Sequence, residues 1–91
     1  MIEIKLNNGV SVQGSLGLMA LKNLRHKDKQ LYTDANRIVF EGAKNIEDVT
    51  TAVYAAYVAC SKEHPEYTQD EFTQLLPDSV SELTGIVKRM L

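Results

Sequence analysis

Apolar and polar positions alternate at the start of the chain: Ile2, Ile4 and Leu6 point one way and Glu3 and Lys5 the other, and after Asn7-Asn8-Gly9 the pattern resumes at Val10 and Val12. The alternation predicts a β-hairpin. A two-residue Asn8-Gly9 loop sets Lys5 opposite Val12 and mixes polar with apolar residues on both faces. A three-residue loop, with Asn7 and Asn8 in a type I turn and Gly9 in the left-handed bulge position, pairs Leu6 with Val10 and Ile4 with Val12. The second register makes one face apolar and is the one expected. Two strands alone are marginal, so this face has to cover helices, and the outer edges are free to accept a strand from a neighbouring chain.

After Gly14-Ser15 the period changes. Ser15 is placed to cap a helix from about Leu16 to Arg25 that carries Leu16, Leu18, Met19, Leu21 and Leu24. The polar segment His26 to Lys29 then connects to a second helical pattern of Leu31, Ala35, Ile38 and Val39, widened by Tyr32 and Phe40 and stopped by Gly42. Asn45 is positioned to cap the clearest helix, running to about Glu63, with Glu47 and Asp48 at the positive end of its dipole. Its stripe is Ile46, Val49, Val53, Ala56 and Cys60. Tyr54, Tyr57 and Val58 broaden that surface, and Ala52, Ala55 and Ala59 permit a close neighbour. Pro65 ends the pattern. Thr68-Gln69-Asp70-Glu71 reads as a capping box for a short helix to Leu76, and Ser79 with Glu82 as a second box for a last helix bearing Val80, Leu83, Ile86, Val87 and Met90, with Gly85 its weak point. The expected fold class is α+β and mainly α. One domain spans 1–91, with a hairpin over about 1–14 packed on four to five helices over about 15–91.

Composition sharpens this picture at three points. A chain of 91 residues with 44% hydrophobic and 24% charged residues has the balance of a folded domain. A domain of this size hides only about two-thirds of the surface its unfolded chain exposes, so some large apolar side chains are expected outside the core. The net charge of −2 is too small to gather nucleic acid or hold an anionic membrane, and no stretch has the length of a spanning helix. No signal peptide is read at the amino terminus, and the single cysteine, Cys60, fits a reducing cytoplasm without a disulfide.

No constellation carries chemistry. Cys60 and His64 form one Cys-x-x-x-His with no second pair, so no metal site is expected, and Cys60 on an apolar stripe lacks the electropositive setting of a thiolate. The acid pairs Glu47-Asp48 and Asp70-Glu71 occupy first turns of helices, where dipole and capping explain them. The glycines form neither a phosphate loop nor a dinucleotide fingerprint, so no catalytic residue and no cofactor is expected. Charge is uneven: Lys22, Arg25, Lys27 and Lys29 cluster, whereas Glu41 to Glu82 holds nine acids against Lys44 and Lys62. The basic cluster complements the carboxyl end of the first helix and is the sole feature favouring a nucleic-acid-binding regulator.

The carboxyl half, with Val53-Tyr54-Ala55-Ala56-Tyr57, then His64-Pro65-Glu66-Tyr67-Thr68-Gln69-Asp70-Glu71-Phe72 and Leu75-Leu76, resembles small tail assembly chaperones of long-tailed bacteriophages and related prophages. The specific part spans about Tyr54 to Leu76. The resemblance implies a non-enzymatic protein of the host bacterial cytoplasm that binds the aggregation-prone tape measure protein and helps major tail protein subunits gather around it. It also implies that the chain is the short form of a product that has a longer, frameshifted form.

Tyr54, Tyr57 and Phe72 read first as core and second as a partner groove, with Met90 and Leu91 open to either; the partner-binding positions inferred from the apolar surface are Tyr54, Tyr57, Val58, Phe72, Met90 and Leu91. A homo-oligomer is expected, with no nucleic-acid or membrane partner. The alternative is a small structural adaptor or tail component that self-assembles and stays in the finished particle.

Overall fold

The hairpin register follows from its turn. In a computed structural model describing residues 2–61 and 65–90, β1 (Ile2–Lys5) and β2 (Ser11–Gly14) pair antiparallel with Ile4 opposite Val12 and Ile2 opposite Gly14. The Leu6 N–H donates to the Val10 carbonyl at 2.8 Å, and Gly9 takes φ +86°, the left-handed value the expected loop requires. Ile4 and Leu6 are buried and Ile2 and Val12 half-buried, while Val10, at the tip, is exposed.

Among the described residues five helices follow: α1 (Leu18–Lys27), α2 (Lys29–Glu41), α3 (Ile46–Cys60), α4 (Gln69–Leu75) and α5 (Val80–Met90). The chain is an α+β, mainly α fold. The first helix starts two residues later than expected and Ser15 does not cap it. The Ser15 N–H donates to the Ala56 carbonyl, which holds the chain against α3, and the Ser15 hydroxyl accepts from the Gly17 N–H. A single residue joins α1 to α2 in place of the expected polar connection. Asp28 donates its N–H to the Leu24 carbonyl and accepts from the Leu31 N–H through Oδ1, closing one helix and capping the next.

α3 is the centre of the molecule, touched by β2 and by all four other helices. Asn45 caps it as expected, its Oδ1 accepting from the Asp48 N–H at 2.9 Å. From Ala52 to Ala59 every residue is buried, the signature of a helix enclosed on all sides. It ends at Cys60, earlier than the expected Glu63, which lies outside the described residues. Ser61 donates its N–H to the Val58 carbonyl and its hydroxyl to the Tyr57 carbonyl, and the Lys27 ammonium donates to the carbonyls of Val58 and Ser61. One member of the basic cluster therefore serves the negative end of this helix.

Both capping-box expectations are met in different degree. Thr68 and Glu71 exchange both bonds, whereas at α5 Ser79 accepts from the Glu82 N–H. Backbone contact between sheet and helix is closest at Gly14: an added Cβ there meets Ile4 Cδ1 at 2.9 Å, Ala56 Cβ at 3.2 Å and the Ala56 backbone at 3.4 Å. Ile4 Cδ1 is the far end of a flexible side chain, but Ala56 Cβ is held rigidly in the middle of α3. Gly14→Ala is therefore expected to destabilise the fold by about 1–3 kcal/mol, read as a lower urea midpoint at unchanged slope.

α2 is fixed to the start of α3 by charge. Asp48 is buried, and its carboxylate accepts from Arg37 at 2.7 Å and from the Lys44 N–H at 2.9 Å. The Arg37 hydrogen bond, followed by that of the Lys44 amide, holds the Asp48 carboxyl below its ordinary range, and the Thr68 bonds do the same for Glu71. With both folded-state values depressed, their stabilisation is complete above the unfolded carboxyl range of about pH 4 and is lost as pH falls through the lower folded values. The melting temperature is expected to hold between neutral pH and about pH 5 and to fall below about pH 4. Asp48→Asn is expected to melt lower at neutral pH with a shallower acid slope, and an acid slope as steep as wild type contradicts this assignment.

Candidate protein-binding surface

The aromatic residues singled out from sequence form an interior cluster. Phe72, fully buried, stacks on Tyr57 with ring centroids 4.7 Å apart and planes at 9°, and meets Tyr54 at 5.6 Å. The phenol groups are occupied as well: Tyr57 Oη accepts from the Glu66 N–H at 2.8 Å and Tyr54 Oη donates to the Tyr67 carbonyl at 3.1 Å. Burial raises the Tyr54 pKa above its ordinary value. The cluster binds α4 and the segment before it to α3, so it has a structural task.

This corrects the expected partner-binding set. Tyr54, Tyr57, Val58, Phe72 and Met90 are all buried within the chain, because α4 and α5 pack against α3 and the apolar side chains of the three helices cover one another. Leu91 lies outside the described residues. The apolar excess is real but resides elsewhere, in Leu18 (84% exposed), Phe40 (80%), Met19 (64%), Val80 (63%) and Ile46 (47%).

Helical phase explains the displacement. In α2 the buried residues are Leu31, Ala35 and Ile38, and Phe40 lies about 200° round the helix from Ile38, on the opposite side. Phe40 does not widen that stripe. In α1 only Leu24 is buried, and Leu18, six positions earlier, is about 240° away. Ile46 belongs to the first turn of α3, beyond the neighbours that cover the rest of that helix.

Two of the exposed residues share a concave site. Ile46 and Val80, each in the first turn of its helix, line one groove of about 470 Å³ with Thr50, Thr73, Leu76 and Leu83, set between α3, the end of α4 and the start of α5. Asn7, Gln74, Asp78 and Ser79 line it too, so its surface is mixed, and the exposed Ile46 and Val80 in a polar frame suit an amphipathic helix laid into it. Leu18, Met19 and Phe40 stand instead at the first turn of α1 and the last of α2.

Among the described residues the remaining candidates form no group with reactive geometry. Cys60 lines an open cleft with His26, Lys27 and Ser61, but burial raises its thiol pKa and so leaves it a poor nucleophile at neutral pH. His64, its expected companion, lies outside the described residues. Among the described residues there is no group of three side chains able to hold a metal ion, and no helix is long and apolar enough to cross a membrane. No protein-family model, curated protein or solved structure matches the chain.

Proposed function

We propose that this chain is a non-enzymatic assembly chaperone of the long-tailed-phage type, which binds the tape measure protein in the host cytoplasm until tail-tube subunits replace it. The observation that carries the reading is the groove in which two exposed apolar side chains, Ile46 and Val80, stand together. A long helical partner has apolar seams that aggregate when uncovered, and a groove of this kind covers such a seam without chemistry. The order of elements from the alanine-rich α3 through Pro65 and the Thr68 capping box to Phe72 is consistent with the resemblance stated above.

Co-expression is the direct test. A tape measure protein that is insoluble alone is expected in the soluble fraction when this chain is made with it, and to co-purify. An unchanged soluble fraction removes the proposal. Recovery of the chain as a stoichiometric part of purified particles favours the self-assembling adaptor instead.

A further inference from the structure

Among the described residues the outer edge of β1 pairs with no other strand. Because Leu6 and Val10 share a hydrogen bond, alternation places the inter-strand bonds on Ile4–Val12 and Ile2–Gly14 and turns the N–H and C=O groups of Glu3 and Lys5 out of the hairpin. The next outward amide, that of Asn7, donates to the Leu75 carbonyl at 2.8 Å, with the Asn7 side-chain amide on the Leu76 carbonyl at 3.0 Å. At Glu3 and Lys5 no other strand is paired among the described residues.

Beside this edge runs a groove of about 780 Å³. Glu3 and Lys5 form one wall, the α5 residues Glu82, Gly85, Ile86, Lys88 and Arg89 the other, and Pro77 lines it as well. Gly85 is costly in a helix, and its Cβ position opens on empty space. The helix is thus thinned where a strand paired to β1 has to pass. Three cations, Lys5, Lys88 and Arg89, outnumber Glu3 and Glu82 there, in a chain whose net charge is −2.

We propose that this groove captures an extended, acidic segment of a partner polypeptide as a third strand of the sheet. Its backbone pairs with Glu3 and Lys5, alternate small apolar side chains settle over Gly85 and Ile86, and its carboxylates meet Lys5, Lys88 and Arg89. The inference stands apart from the tape measure reading, which uses the groove between α3 and α5.

The test uses a blocked seven-residue peptide alternating aspartate and valine, with lysine and valine in the control peptide. Titration into the full chain is expected to shift the amide resonances of Glu3, Lys5, Gly85 and Ile86, to slow hydrogen exchange at Glu3 and Lys5, and to show at least tenfold weaker binding of the lysine peptide. Gly85→Leu, which fills the groove from a position with open space, is expected to weaken binding at least tenfold while leaving the circular dichroism spectrum and melting cooperativity intact. Gly85→Ala controls for the change in helix propensity and is expected to lose less. Absence of shifts at millimolar peptide, or wild-type binding by Gly85→Leu, overturns the proposal. Protection of Glu3 and Lys5 that rises with protein concentration alone assigns the edge to a second copy and overturns it too.

Discussion

Replacing Phe72 with alanine is expected to cost about 3–5 kcal/mol, whereas the same change at Phe40 is expected to stay within about 0.5 kcal/mol of wild type. The residue types are identical and their surroundings opposite. Phe72 is fully enclosed, stacked on Tyr57 and tilted against Tyr54, so truncation leaves a cavity that two tethered phenol rings cannot collapse into. Phe40 is 80% exposed. A domain of this length has a total stability of about 5–14 kcal/mol, so Phe72→Ala removes a large share of it and lowers the melting temperature by more than about 10 °C. Equal effects at the two positions contradict the placement of α4 over α3.

The second large effect concerns binding. If the proposed tape measure binding uses the groove between α3 and α5, Ile46→Asp with Val80→Asp is expected to weaken it by at least about 30-fold, the loss of one well-buried anchor, with the second adding less than its separate share. The fold should not suffer. Each aspartate enters the first turn of its helix, where the dipole favours an anion. Leu18→Ser with Phe40→Ser removes comparable apolar surface from outside the groove and is expected to change affinity less than about threefold. Titration calorimetry with a soluble tape measure fragment reads both. Wild-type affinity in the groove variant, or a larger loss in the Leu18 and Phe40 variant, moves the binding surface to α1 and α2.

Local signals were legible in the sequence where a few adjacent residues decide the outcome. Gly9 fixes the hairpin register, Asn45 starts α3, Thr68 and Glu71 start α4, and Gly42, at φ +88°, ends α2. Burial was less legible because it depends on what arrives from elsewhere. Tyr54, Tyr57, Val58 and Phe72 read as surplus only if a helix covers one face of its neighbours, but α3 is enclosed by elements both adjacent to it and from the two ends of the chain. Phase within α1 and α2 does carry the signal that sets Leu18 and Phe40 outside. Asp28 is a local N-cap whose partner lies three positions on, hidden in the sequence only by the surrounding polar run, whereas the pairing of Asp48 with Arg37 had no local signal because it depends on α2 and α3 meeting in the folded chain. The groove joins residues 34 positions apart in Ile46 and Val80, which no sequence window connects.

The groove between α3 and α5 that exposes Ile46 and Val80 is proposed to hold another polypeptide. Hydrogen exchange followed by mass spectrometry, with and without a tape measure fragment, addresses it directly. Added protection is expected at the start of α3 and across Thr73 to Leu83, with α1 unchanged. A tight complex that leaves those segments exchanging as in the free chain contradicts the account.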